Sequence, residues 1–191
     1  MSNKTIQSDI AVENGDVVGG NKYSPTYVFA GPVSPITHLS IEYEKEIGRS
    51  SPGVSQFLPE LKHYMSAVTS SQVQGLEQKL LNANRNGQMV DASRQKELFA
   101  KQLHKHATSQ AAQRIFLYLL GELLQRFRVY AKPIIEEEAP TCEIDRIVFE
   151  KVISPALQSL DRNVLDLYHD EIWGMVYYLT GNCHIRWSKE C

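Results

Sequence analysis

Between Gln110 and Tyr130 the apolar residues crowd more than one side of a helix. Phe116, Leu119, Leu120, Leu123, Leu124, Phe127 and Tyr130 recur at three- and four-residue steps. Ile115, Leu117 and Tyr118 widen the arc. A helix so broadly apolar is stable only when it is packed from several directions, so the rest of the chain must supply faces to cover it. Ser109 is placed to start this helix, and Pro133 is expected to kink or end it.

The covering faces are themselves helical in pattern. A weak helix is expected from Thr37 to Ile47, carrying Leu39, Ile41 and Tyr43 and ending at Gly48. Val54 to Val68 follows, with Phe57, Leu58, Leu61 and Met65, its start weakened by Pro59. Ser71-Gln72-Val73-Gln74 has capping-box spacing and opens a helix with Leu76, Leu80 and Leu81, which stops near Asn84-Arg85-Asn86-Gly87. Met89 to Lys105 puts Ala92, Phe99, Leu103 and His106 on one stripe. Beyond the polar break at Glu136–Pro140, Thr141 caps a helix with Ile144, Ile147, Val148 and Val152, and Ser154-Pro155 suits a restart through Leu157 and Leu160. Asp170 is expected to cap a last helix with Ile172, Trp173, Val176, Tyr177 and Leu179, stopped by Thr180-Gly181-Asn182. Cys183, Ile185 and Trp187 then alternate along a short extended tail, with Arg186 snorkelling or paired to a carboxylate at a subunit contact. The fold class expected is mainly α: a compact multi-helix domain over 36–191, with this tail at one end.

Residues 1–35 read differently. Glycines and prolines separate short apolar pieces, Ile10-Ala11-Val12, Val17-Val18 and Thr26-Tyr27-Val28-Phe29, with turn signals at Asn14-Gly15 and Gly19-Gly20-Asn21. Such an irregular, short-stranded leader cannot bury a face alone, and its strand edges invite a second chain.

Charge is unevenly placed. Residues 62–132 carry 11 basic and 4 acidic side chains, and residues 133–191 carry 5 and 11. Basic and acidic helices can pack beside each other and screen one another, or a basic face can meet nucleic acid. In the second case Arg94, Lys101 and Lys105, on one side of a helix, would be the contacts. The net charge of -2 opposes a non-specific phosphate binder.

Catalytic and cofactor patterns fail one by one. His104 and His106, two apart on a helix, face opposite ways and cannot grip one metal ion. Cys183 beside His184 does not make a thiol–base pair, since the base must approach through space. Gly15-Asp16-Val17-Val18-Gly19-Gly20-Asn21-Lys22 lacks the lysine–hydroxyl pair of a phosphate loop. No catalytic, cofactor or metal residue is therefore expected. Three irregularly spaced cysteines, no signal peptide and no apolar run of membrane length point to a soluble cytoplasmic protein.

The stretch Trp173-Gly174-Met175-Val176-Tyr177-Tyr178-Leu179-Thr180-Gly181-Asn182-Cys183-His184-Ile185-Arg186-Trp187 resembles the closing signature of a C-terminal domain of bacterial ABC three-component systems. Ala111-Ala112-Gln113-Arg114-Ile115-Phe116 and Phe149-Glu150-Lys151-Val152-Ile153-Ser154-Pro155-Ala156-Leu157 are similar too, and the likeness spans about residues 70–187. It implies a small helical component that works beside an ABC-type ATPase and a middle component in defence against phage or other invading elements. Relatives often carry an effector ahead of this domain. The roughly 70 residues here are too few and too irregular for a nuclease or peptidase. A non-catalytic adaptor or regulatory subunit acting by protein–protein contact is expected, the alternative being a nucleic-acid binder through Arg94–Lys105. Deleting residues 1–35 should weaken self-association or assembly with the ATPase. Identical sedimentation of the full-length and shortened chains, alone and with the ATPase, would reject that role for the leader.

Overall fold

A computed structural model of the chain describes residues 34–48, 56–67, 75–160 and 162–189. The leader strands and the Ser71–Gln74 capping box lie outside the described residues. Among those described, every regular element is helical, as the apolar periodicity requires.

In chain order these are α1 (Pro35–Gly48), α2 (Pro59–Met65), α3 (Leu76–Asn82), a short 3-10 turn (Asn86–Gln88), α4 (Met89–Lys105) and α5 (Gln110–Arg126). A π-helical turn (Phe127–Ala131) leads into α6 (Lys132–Glu136). Then α7 (Thr141–Ile147), a second π-helical turn (Val148–Ile153) and α8 (Ser154–Gln158) follow without a break, and α9 (His169–Gly181) closes the fold.

α5 lies at the centre. It buries Ala111, Ala112, Gln113, Ile115, Phe116, Leu119, Leu120, Leu123 and Leu124, against α1, α2, α8, α9 and the second π turn. This is the many-sided burial its wide apolar arc demands. Ser109 caps it as expected, accepting from Ala112 N at 3.0 Å. Glu46 of α1 adds a carboxylate there, accepting from Ser109 Oγ at 2.5 Å and Ala111 N at 3.2 Å, where the helix dipole favours negative charge. Gln113 ties down the segment before α2: its Oε1 accepts from Leu58 N at 2.7 Å, and its Nε2 donates to Ala107 O at 2.6 Å. Tyr43 of α1 meets His106 Nδ1 at 3.0 Å, and burial holds the His106 pKa below its ordinary value.

Several boundaries differ from expectation for local reasons. Pro59 begins α2 instead of weakening it, because a first-turn residue needs no N–H. Pro133 does not end its helix. The chain widens into the π turn just before it, and the same happens before Pro155, where a restart was expected. In both places the i→i+5 pattern carries the chain past the carbonyl that proline cannot satisfy. Thr141 is the first residue of α7, with Pro140 at the cap. At α9 the cap is Tyr168, whose N–H donates to Glu171 Oε2 at 3.0 Å, so Asp170 is inside the helix. Leu81, named with Leu76 and Leu80 on this helix, is exposed, and Lys79 is buried beside the other two.

α4 and α9 form the most extensive helix pair. They approach so closely at Gly174 that a Cβ there would sit 2.2 Å from Gln95 O and 3.0 Å from Phe99 Cβ. Phe99 then meets Phe116 of α5 at 5.7 Å and Tyr178 of α9 at 5.2 Å between ring centroids, joining three helices at one buried residue. Gly174→Ala should destabilise the fold by about 2 kcal/mol or more, because a backbone carbonyl cannot rotate away as a side chain can. Gly121→Ala, where a Cβ meets only Tyr64 Oη at 3.5 Å, should be neutral or stabilising. Urea denaturation of the two variants checks both signs.

Candidate functional site

The end of α9 and the tail after it gather more chemistry than any other part of the described chain. α9 does not stop at Gly181 by glycine geometry. The left-handed residue is Cys183, with φ 64°. Cys183 N–H donates to Thr180 O at 3.1 Å and His184 N–H to Leu179 O at 2.9 Å, the paired bonds of a Schellman cap. α3 ends the same way at Asn84 (φ 56°), with Arg85 N–H donating to Leu80 O at 2.8 Å. Arg85 is thereby turned inward.

Two buried cations then hold the tail. Lys79 Nζ donates to Thr180 O at 2.5 Å and lies 3.0 Å from Cys183 Sγ, a positive charge at the negative end of α9. The Arg85 guanidinium pairs with Asp145 of α7 and lies 4.2 Å from the centroid of the Trp187 ring. Gln88 braces the pair, accepting from Arg85 Nη1 at 2.9 Å and donating to Asp145 Oδ2 at 2.8 Å. Trp187 is 3% exposed; its indole N–H donates to Thr180 Oγ1 at 2.9 Å and its ring meets Phe127 at 5.0 Å. Tyr177 stacks over the same indole, and burial pushes its pKa up to about 12. Ile185 is buried and Arg186 exposed, so the alternation along the tail holds after its first turn. Arg186 lines a cavity.

That cavity, about 360 Å³, lies between the first π turn, α6 and the tail. Arg128, Lys132, Arg186 and Lys189 ring it, with Glu136 as the one carboxylate among the described residues, and Phe127, Ile135 and Ile185 contribute apolar wall. Cys183 and His184 complete it. Burial lowers the His184 pKa, and the positive charges of His63 and Arg128 lower it further.

The three candidate docking cations of α4 are arranged differently. Arg94 donates to Asp170 Oδ2 at 3.0 Å, and Gln95 to Asp170 Oδ1 at 2.8 Å, which holds the Asp170 carboxyl below its ordinary range. Lys101 pairs with Glu97 at 2.8 Å, and Lys105 is exposed on the last turn. The structure does not bring them together with the tail. Lys79, Arg85, Asp145 and Arg128 escaped the sequence reading. Lys79 had left a signal: it stands three residues after Leu76 and one before Leu80, inside the apolar stripe.

Residues 75–187 match the model of C-terminal domain 9 of the ABC three-component systems. The chain belongs to that family. The matched span begins with α3 and ends on Trp187, so the buried cations and the indole they hold are all within it. No curated protein matches the chain, and no solved structure does. Membership of this family places the chain in a bacterial system of several components.

Ending this family domain at Gly181 would remove Ile185 and Trp187 from the core, take the Cys183 sulfur from Lys79 and take the Trp187 ring from Arg85. The expected loss is about 3 kcal/mol or more. An unchanged melting temperature would show that the tail is not structural.

Proposed function

We propose that this chain is a non-catalytic adaptor or regulatory subunit of an ATPase-containing bacterial defence system, and that it acts in the cytoplasm by binding the ABC-type ATPase or the middle component. One observation carries the reading. The two π turns, packed against each other, both expose apolar side chains. Val129 (53%) and Tyr130 (43%) are exposed on the first and Phe149 (44%) on the second, while Tyr168 (60%) is exposed at the start of α9. Phe149 stacks on His169, so it is held in place where it faces solvent. Ordered, exposed aromatics of this kind are typical of the core of a protein interface. π-helical turns recur at functional positions, since they lower stability and need a compensating reason to exist.

The exposed Lys105, with Lys101 beside it, offers a second contact for an acidic partner. The nucleic-acid reading draws less support, because Arg94 and Lys101 already meet carboxylates of the same chain. The basic and acidic stretches thus screen one another in part.

Co-expression with the ATPase and the middle component tests the proposal. The chain should co-purify with one of them, and Tyr130→Glu combined with Phe149→Glu should abolish recovery while leaving the melting temperature within a few degrees. Lys101→Glu with Lys105→Glu should weaken it more at low salt than at high salt. The isolated chain should hydrolyse no nucleotide, nucleic acid or peptide. Turnover that a single point mutation abolishes would overturn the adaptor reading.

A further inference from the structure

We propose that the cavity between the first π turn and the tail binds a phosphate monoester attached to a planar ring, with a mononucleotide as its simplest form.

The charge balance is the first argument. Among the described residues, four cations line the cavity against one carboxylate. Lys132 reaches Glu136 only at 3.5 Å and Lys189 reaches Glu138 only at 3.9 Å, both pairs well exposed, and such pairs are exchanged at little cost. Arg128 and Arg186 form no ion pair among the described residues. Two guanidiniums that line one cavity from different elements raise its positive potential and favour an anion there. A phosphate accepts from both through several oxygens at once.

Geometry is the second. Arg128 and Lys132 are four residues apart, one helical turn, and so stand on one wall. Arg186 comes from the opposite wall, set outward because Ile185 and Trp187 on either side of it are buried. The Schellman turn at Cys183 fixes that register, and the Lys79 and Arg85 contacts make it rigid. The site is therefore preorganised by buried interactions, although its cations are at the surface.

Size and lining give the third. A volume of about 360 Å³ suits a small ligand and is too small for a duplex. The apolar wall of Phe127, Ile135 and Ile185 offers a face to a ring, while the cations take the phosphate.

Titration calorimetry of the full-length chain with adenosine 5′-monophosphate tests this. Saturable binding is expected that weakens steeply with salt, with adenosine inert and inorganic phosphate competing weakly. Arg128→Ala and Arg186→Ala should each weaken binding about tenfold or more without moving the melting temperature. Arg162→Ala, outside the cavity and in an exposed pair with Glu44, should leave it unchanged. A 5′-phosphorylated oligonucleotide that binds more tightly than the mononucleotide, while its 5′-hydroxyl form does not bind, would support the same chemistry with a strand end as its source. No binding at millimolar ligand, binding equal for adenosine, equal binding of the 5′-hydroxyl strand, or binding unchanged in the double variant would each overturn the proposal. None of these outcomes depends on whether the chain docks an ATPase.

Discussion

The contact on which most of this fold depends is backbone against helix: Gln95 O of α4 lies where a Cβ on Gly174 of α9 would have to be. No side chain separates the two helices at that point. Their close crossing lets Phe99 reach both Phe116 and Tyr178. It also sets Asp170 within hydrogen-bond distance of Arg94 and Gln95, so the start of α9 is fixed to α4 by charge while its middle is fixed by packing. Since α9 also lies against α5, the position of the whole tail follows from this one approach. A wider crossing would move Thr180, and with it the carbonyl that Lys79 needs.

The second constraint is the burial of Lys79 and Arg85. Charged groups inside a protein are tolerated only with near-complete partnering. Lys79 has a helix-terminal carbonyl and a thiol; Arg85 has a carboxylate, an amide and an aromatic face, with its Nη2 left without a hydrogen bond among the described residues. Apart from Gln88 in the neighbouring 3-10 turn, these partners come from α7, α9 and the tail, far along the sequence. Hydrophobic packing among the helices does not by itself fix where the tail goes, because apolar contacts are non-directional. The two cations are directional, and they select one path for residues 183–187.

Much of the scaffold was legible in the sequence. The wide apolar arc of α5, the Ser109 cap and the limits of α4 follow from local rules that tertiary context did not overrule. The closing signature around Trp173–Trp187 was equally visible as a likeness, and Trp187 does pack on Phe127. What was not legible depended on spatial neighbours. Pro133 and Pro155 carry the same local instruction, and only the packing of the two π turns against each other lets the chain continue through both. Asp170 looked like a cap because aspartate favours that position; its partners on α4, 75 and 76 residues earlier, cannot be inferred from spacing. Arg128 read as one cation in a basic stretch, and its place opposite Arg186 exists only once the tail has folded back.

The chain therefore separates two kinds of positive charge. Lys79 and Arg85 are consumed inside, where they set the backbone; Arg128 and Arg186 are left outside, where the backbone so fixed makes them converge. Cys183 stands at the junction. A non-glycine residue at φ 64° is strained relative to glycine, and a glycine would form the same Schellman turn with less strain. What glycine could not supply is the sulfur that Lys79 meets at 3.0 Å. The side chain that makes the turn costly is thus the one that couples the buried cation to the wall of the cavity, and the interior and the basic rim are two faces of one arrangement.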